Sequence, residues 1–232
     1  MGVAERKERE FRRREREILD AAARLFESDD WQQVSIDRIA QEAEIGKGTV
    51  YLHFPSKEAI FGRLTLEFAR GILERLRAID AGLPPTQRLG EAIRIFFDAH
   101  LQRPSQHRIV EHCSLDEFRR RVDDGTRSEL QAVDDQIFAL IHGILHDGIR
   151  AGVFPDRPVE TMLIGAHATV IGALRLLAGG CPAMDGPADP QSLVPEVTRF
   201  VLAGLMHFDR VPDEVLHGRR EPSTTGPPVA RM

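Results

Sequence analysis

The chain has 232 residues, 42% hydrophobic and 29% charged, with a net charge of −5. This is enough apolar material for one large or two modest globular domains. The acidic balance excludes a polycation that grips nucleic acid by bulk charge, so any basic footprint must be local. Two cysteines, Cys113 and Cys181, form neither a framework nor a C-x-x-C pair, which fits a reducing cytosol. The start is charged where a signal peptide needs an apolar run. No uninterrupted apolar span is expected to reach the roughly 18 residues of a membrane crossing.

Apolar spacing is helical nearly throughout, and no β-strand pattern stands out. The first seventeen residues crowd seven basic side chains (Arg6, Lys7, Arg9, Arg12, Arg13, Arg14, Arg16) among glutamates. They read either as a flexible arm adding phosphate contacts or as a solvated extension of the first helix with Glu and Arg paired along it. Ile18, Leu19, Ala22, Leu25 and Phe26 predict a helix from about Glu15 to Ser28. Ser35 is a fitting N-cap for the next, with Val34 placed to staple onto Ile39. A third short helix follows Gly46 and ends at Pro55-Ser56. Ser56 caps a fourth, running to about Ile79, before the Gly82-Leu83-Pro84-Pro85 linker.

Helices two and three with their tight turn have the layout of a helix-turn-helix DNA reader. On the third, Val50 and Phe54 point inward, and the opposite face centres on Gly48 and Leu52, flanked by Thr49 and Tyr51. An outward Leu beside an outward Tyr is costly in water unless a surface such as a major groove covers it. Gly48 lets the backbone approach base edges, Leu52 suits a thymine methyl, and Thr49 suits a base or phosphate. Tyr51 and His53 can donate to phosphates. Lys47 and Lys57 open their helices, where free N–H groups already favour an anion. The alternative is an ordinary helical corner with a solvated face.

After the linker, Leu89, Ile93, Phe96, Phe97 and Leu101 mark a helix stopped before Pro104, and Ile109, Val110, Cys113 and Phe118 a shorter, irregular one. A stripe from Leu130 to Ile149 ends at Gly152 and Pro155. Val159 to Gly179 is apolar on nearly every side, which implies burial from more than one direction. Leu193 to His207 closes the fold. A tail from Asp209, rich in Pro, Gly, Ser and Thr, is expected to be disordered.

The segment Ile18 to Ile60, with I-L-D-A-A-A-R-L-F, S-I-D-R-I-A-Q-E-A and G-K-G-T-V-Y-L-H-F-P-S-K-E-A-I-F, resembles the N-terminal domain of TetR-family transcriptional repressors. The resemblance implies a homodimer with one reading helix per subunit in successive major grooves of a near-palindromic operator, released by a small molecule in the C-terminal domain. Carried over by motif, Ser35, Lys47, Thr49, Tyr51, His53 and Lys57 are the contacting residues. Glu44 stands at the turn where many members have Gly, which implies positive-φ strain of about 1 kcal/mol.

The expectation is therefore an all-α chain: an N-terminal three-helix helix-turn-helix domain and a larger C-terminal helical domain for ligand binding and dimerisation. Its parts are a flexible arm at 1–14, the reader with its connecting fourth helix at 15–80, the effector and dimer domain at 81–208, and the tail at 209–232. Small residues Gly165, Ala166, Thr169, Gly172 and Ala173 form a strip on the apolar helix. With Val197, Val201 and Leu205 of the last helix it is expected to build a four-helix dimer bundle, or to pack within one subunit. Phe96, Phe97, Leu101, Ile137, Ile141 and His167 are candidates to line a pocket for an apolar or amphipathic effector, or they fill the core. His100, His107, His112 and Cys113 lie near each other in sequence, and His142 and His146 have i, i+4 metal-ligand spacing, but no carboxylate stands at an obvious third position and nothing visible activates Cys113; no metal and no cofactor is expected. No G-x-S-x-G, phosphate loop or supported carboxylate pair points to an enzyme. The reading from another class is a helical small-molecule-binding or adaptor protein that does not read DNA.

Overall fold

The computed structural model describes residues 2–27, 33–102, 104–113, 118, 120–179, 189–207, 210 and 215. Among them are nine α-helices and no strand: α1 (Val3–Leu25), α2 (Ile36–Glu42), α3 (Lys47–His53), α4 (Lys57–Arg77), α5 (Pro85–Gln102), α6 (Pro104–Cys113), α7 (Asp124–Arg150), α8 (Val159–Gly179) and α9 (Pro190–Met206). The expected disordered tail at 209–232 lies, except for Arg210 and Val215, outside the described residues.

The charged N-terminus is not an arm. α1 begins at Val3 and runs unbroken into the apolar stretch. Its Glu and Arg residues fall at helical spacing and pair: Arg12 with Glu8 at 2.8 Å, Arg13 with Glu17 at 2.7 Å, Arg14 with Glu17 at 2.8 Å. Pairs three and four apart support a helix that propensity alone leaves marginal. Arg16 reaches Glu67 of α4 at 2.8 Å, and Arg24 reaches Glu42 of α2 at 2.8 Å, so the extension is tied to the body behind it.

The first core gathers Ile18, Leu19 and Ala22 of α1 and Phe26, just past its end, around Ile39, Val50, Phe54, Ile60 and Phe61. Phe26 and Phe61 stack with centroids 4.5 Å apart. Val34 is buried in this cluster beside Ile39, as a hydrophobic staple requires. Four further members come from beyond the linker: Ile109 and Cys113 of α6, then Phe118 and Val122. α4 lies along α7, with Leu66 and Leu73 against Val133, and its last turns enter the second core through Ile72 and Leu76. α4 therefore carries one end in each core.

The second core stacks α5, α7, α8 and α9. The bend after α7 depends on two glycines. Gly152 sits at φ 67°, a left-handed conformation natural to Gly at a helix end. A Cβ on Gly148 would stand 2.0 Å from the Phe154 ring, so only Gly lets that ring fold back over the helix. Asp147 holds the same corner by pairing with Arg88 of α5 and Arg150.

The expectation of no membrane-length apolar span needs correction. Val159–Leu177 is long and apolar enough by length and composition, because its Leu, Ile, Val, Met and Ala residues outweigh the small and polar ones that interrupt the run. One face of it packs in the second core, where Met162, Val170, Ala173 and Leu174 are buried among α5, α7 and α9, and the opposite face is exposed.

Candidate nucleic-acid interface and sensor cavity

α2 starts where Ser35 places its hydroxyl to accept from the Arg38 N–H at 3.3 Å. The turn closes with Glu44 N–H on the Gln41 carbonyl at 3.1 Å and Ile45 N–H on the Ala40 carbonyl at 2.9 Å. Glu44 holds φ at 54°, the left-handed value expected of this turn. The chain then extends through Gly46 into α3.

α3 has the two faces its spacing predicts. Val50 is fully buried and Phe54 nearly so. On the other side Leu52 is 78% exposed, Tyr51 is 48% exposed, and nothing lies within 4 Å of where a Gly48 Cβ would be. Lys47 is exposed beside them, its ammonium 2.8 Å from Asp37, and that carboxylate raises its pKa. Ser35 is exposed, whereas Thr49, His53 and Lys57 are half-buried. Ser56 caps α4 by accepting from the Ala59 N–H at 3.1 Å, and Lys57 Nζ lies 5.6 Å from the Phe61 ring centroid.

His53 departs from the expected outward face. Its ring rests on Phe11 of α1, with centroids 4.1 Å apart, and Nδ1 is buried without a hydrogen bond. Burial lowers its pKa, opposed by Glu15 and assisted by Arg14. Phe11 was not anticipated. Its one visible cue is a lone aromatic in a charged run, two helical turns before Ile18.

A cavity of about 120 Å³ lies between α5, α7 and α8, bounded by Ile93, Phe96, Ile141, Leu163, Ala166 and Val170 and flanked by Phe138. Three of the expected lining residues are there: Phe96, Ile141 and His167. Phe97 is not, because its ring is fully buried on another side of α5. Leu101 and Ile137 pack against the second core without bounding the cavity. The residue that sequence reading missed is His100, on the cavity wall one turn beyond Phe96. Its Nδ1 is 2.9 Å from Nδ1 of His107 on α6, both rings are buried, and Phe68 stands 4.9 Å from it. Desolvation, followed by the charge of His107, lowers the His100 pKa to about 4. Burial also lowers His167.

The small-residue strip divides. Gly165 and Gly172 face outward, and Ala166, Thr169 and Val197 are half-buried. Ala173, Val201 and Leu205 are instead buried inside the subunit, since they project toward the second core one face away from Gly172. The outward positions are taken by Ile164 and Phe200, each 70% exposed. A shallow groove beside Phe200 is floored by Gly165, Thr169 and Gly204, and the Thr169 hydroxyl donates to the Gly165 carbonyl at 2.8 Å. Arg175 on the same helix is exposed.

His142 and His146 have ring centroids 6.4 Å apart, and among the described residues no group of three metal-ligating side chains forms. Cys113 is buried, and desolvation pushes its thiol up to about 12, which leaves no thiolate to sense oxidants.

Residues 18–64 match the family model described as bacterial regulatory proteins, tetR family. The chain is 25% identical over 155 residues to the uncharacterized HTH-type transcriptional regulator YhgD of Bacillus subtilis, covering 65% of this chain and 78% of that protein. It is 27% identical over 191 residues to the HTH-type transcriptional repressor KstR2 of Mycobacterium tuberculosis, covering 82% and 91%. The fold is that of the fatty acid degradation regulator FadR of Bacillus halodurans, with a TM-score of 0.65 at 20% identity over 83% of this chain and 96% of the other.

Proposed function

We propose that this chain, whose residues 18–64 match the tetR family model, is a cytoplasmic, dimeric transcriptional repressor released from DNA by a small effector. Two copies join through α8 and α9 and set their α3 helices in successive major grooves of a near-palindromic operator. Residues 15–80 do the reading, and the helices beyond the linker provide the sensor and the dimer contact.

The observation that carries this reading is the outer side of α3. A seven-residue helix that fully buries Val50 leaves Leu52 78% exposed beside Tyr51 and a bare Gly48. In the groove Leu52 covers a thymine methyl, and Thr49 and Tyr51 meet base or phosphate oxygens. Lys47 adds phosphate contact without leaving Asp37, while Ser35 and Lys57 flank the site. His53, seated on Phe11, holds α3 to α1 more than it touches DNA. The effector enters the cavity beside Phe96, Ile141 and His167. Its apolar walls suit an apolar or amphipathic molecule.

Footprinting on DNA upstream of the protein's own coding region tests the proposal. A protected, two-fold symmetric site that disappears with Leu52→Ala is expected. No protected site on that DNA or in a selection from random duplexes would leave a helical ligand carrier instead.

A further inference from the structure

The cavity between α5, α7 and α8 has an unusual polar inventory. No carboxylate, ammonium or guanidinium is among the described residues that line it, and its polar side chains are two histidines, His100 and His167. Burial favours the neutral form of His100 at pH 7, and desolvation acts in the same direction on His167, whose ring is exposed on its outer side. A ligand charge placed there would meet no opposite charge and would lose its water, a large cost. A hydroxyl or carbonyl would meet an imidazole.

His100 also belongs to a second contact. Its Nδ1 faces Nδ1 of His107 at 2.9 Å. Between two neutral rings, one Nδ1 donates and the other accepts. The accepting ring then carries its proton on Nε2, and the donating ring has a bare Nε2. With Nδ1 engaged, Nε2 is the nitrogen His100 has left for a ligand, and a hydrogen bond there selects which ring donates to the other. His107 lies on α6, whose Ile109 and Cys113 are buried in the core of the DNA-reading part. The pair therefore joins the cavity wall to a helix that helps to build the reader.

We propose that the effector is an uncharged, mainly apolar molecule whose one hydrogen-bonding group docks on His100, and that the His100–His107 hydrogen bond transmits its arrival to α6 and the reading part. This rests on the sensor and reader roles assigned above. It adds to them the effector's charge state and the residue pair through which coupling runs.

Three single-ring probes test it with the full chain at pH 7: p-cresol, toluene and benzoate. Apolar cavities of about 150 Å³ accept benzene, so the cavity of about 120 Å³ has to widen to take these slightly larger rings, equally for all three probes. Calorimetry is expected to give p-cresol about fivefold tighter than toluene, the value of one neutral hydrogen bond, with benzoate weakest. His100→Phe should erase the advantage of p-cresol over toluene. His107→Phe should still bind p-cresol but no longer release DNA selected from a random pool, and His107→Gln, which keeps a hydrogen-bonding group, should restore part of that release. Imidazole ¹⁵N shifts of His107 in the unmutated chain should move when p-cresol binds, a readout that needs no variant to fold. Benzoate binding as tightly as p-cresol, binding by none of the probes, a His107 signal that ignores p-cresol, or full release by His107→Phe would each overturn the inference. Failure of the unmutated chain to bind any DNA would sink the regulator reading, while the order of probe affinities would still judge the role of His100.

Discussion

Two faces of this molecule leave bulky apolar side chains in water, and they do so differently. On α3, Leu52 and Tyr51 stand on a single narrow helix beside a glycine, with Lys47 at their edge. On α8 and α9, Ile164 and Phe200 are each 70% exposed, and Phe200 borders a groove floored by Gly165 and Gly204. The first is a projecting ridge with a cation, suited to a polyanionic groove. The second combines bulky side chains with a hollow, and its neighbouring cation Arg199 is neutralised by Glu196 at 2.7 Å, which suits a two-fold copy of itself. Exposed apolar area alone does not separate these uses; relief and nearby charge do.

Several changes would break or sharpen that contrast. The largest effect belongs to Phe200→Glu. A carboxylate repeated across a two-fold apolar contact should raise the dimer dissociation constant at least about 100-fold, or about 3 kcal/mol. Sedimentation should show monomers with unchanged helical circular dichroism, because Phe200 supports little within its own chain. A persistent dimer would move the interface elsewhere. Acid should next weaken the second core more than the first. His100 is depressed from 6.5 to about 4, so between those values the unfolded chain binds a proton that the folded chain refuses. Its stabilising contribution is complete above pH 6.5 and is lost as pH falls toward 4. The loss is on the order of 3 kcal/mol, since each tenfold change in proton affinity is worth about 1.4 kcal/mol. Denaturant titrations of the parent and His100→Phe over that window should show a shallower slope in the variant. Equal slopes would remove His100 as the cause.

Smaller effects test α3. Leu52→Ala should cost about 1–2 kcal/mol of operator binding per subunit and leave the melting temperature unmoved. A drop in melting temperature instead would mean that Leu52 packs against protein. Smallest is Glu44→Gly, which relieves φ 54° and should raise stability by about 0.5–1 kcal/mol in chemical denaturation. No gain would show that the turn tolerates Glu without strain.

The ridge was legible in sequence and the second face only partly so, for a physical reason. α3 has a strong two-sided alternation, so its spacing alone puts Val50 and Phe54 inside and Leu52 outside. α8 is apolar all round, and a helix without a polar side offers no period from which to tell inside from outside. Ala173 was thus expected on the contact strip and is buried, while Ile164 went unremarked. α9 shows the same ambiguity for Val201, Leu205 and Phe200. On α5, Phe96 and Phe97 are neighbours in sequence yet lie about 100° apart on the helix, so only one of them can bound the cavity. His100 and His107 stood out in sequence only as neighbours in a run of possible ligands; their direct contact was not legible because α5 and α6 meet across the break at Pro104, and spacing along the chain does not encode it. The N-terminal extension was legible as an alternative: its Glu–Arg spacing fitted a helix as well as an arm, and pairing along the helix decided it.

The first core has a practical consequence for anyone who would reuse this reader. Ile109, Cys113, Phe118 and Val122 finish its interior from the far side of the linker. Severing the chain near residue 80 would leave a hydrophobic wound where those four side chains belong, so the reader is not a detachable cassette. A graft onto a foreign sensor has to bring the chain as far as Val122 along with it, or rebuild that wall from new residues.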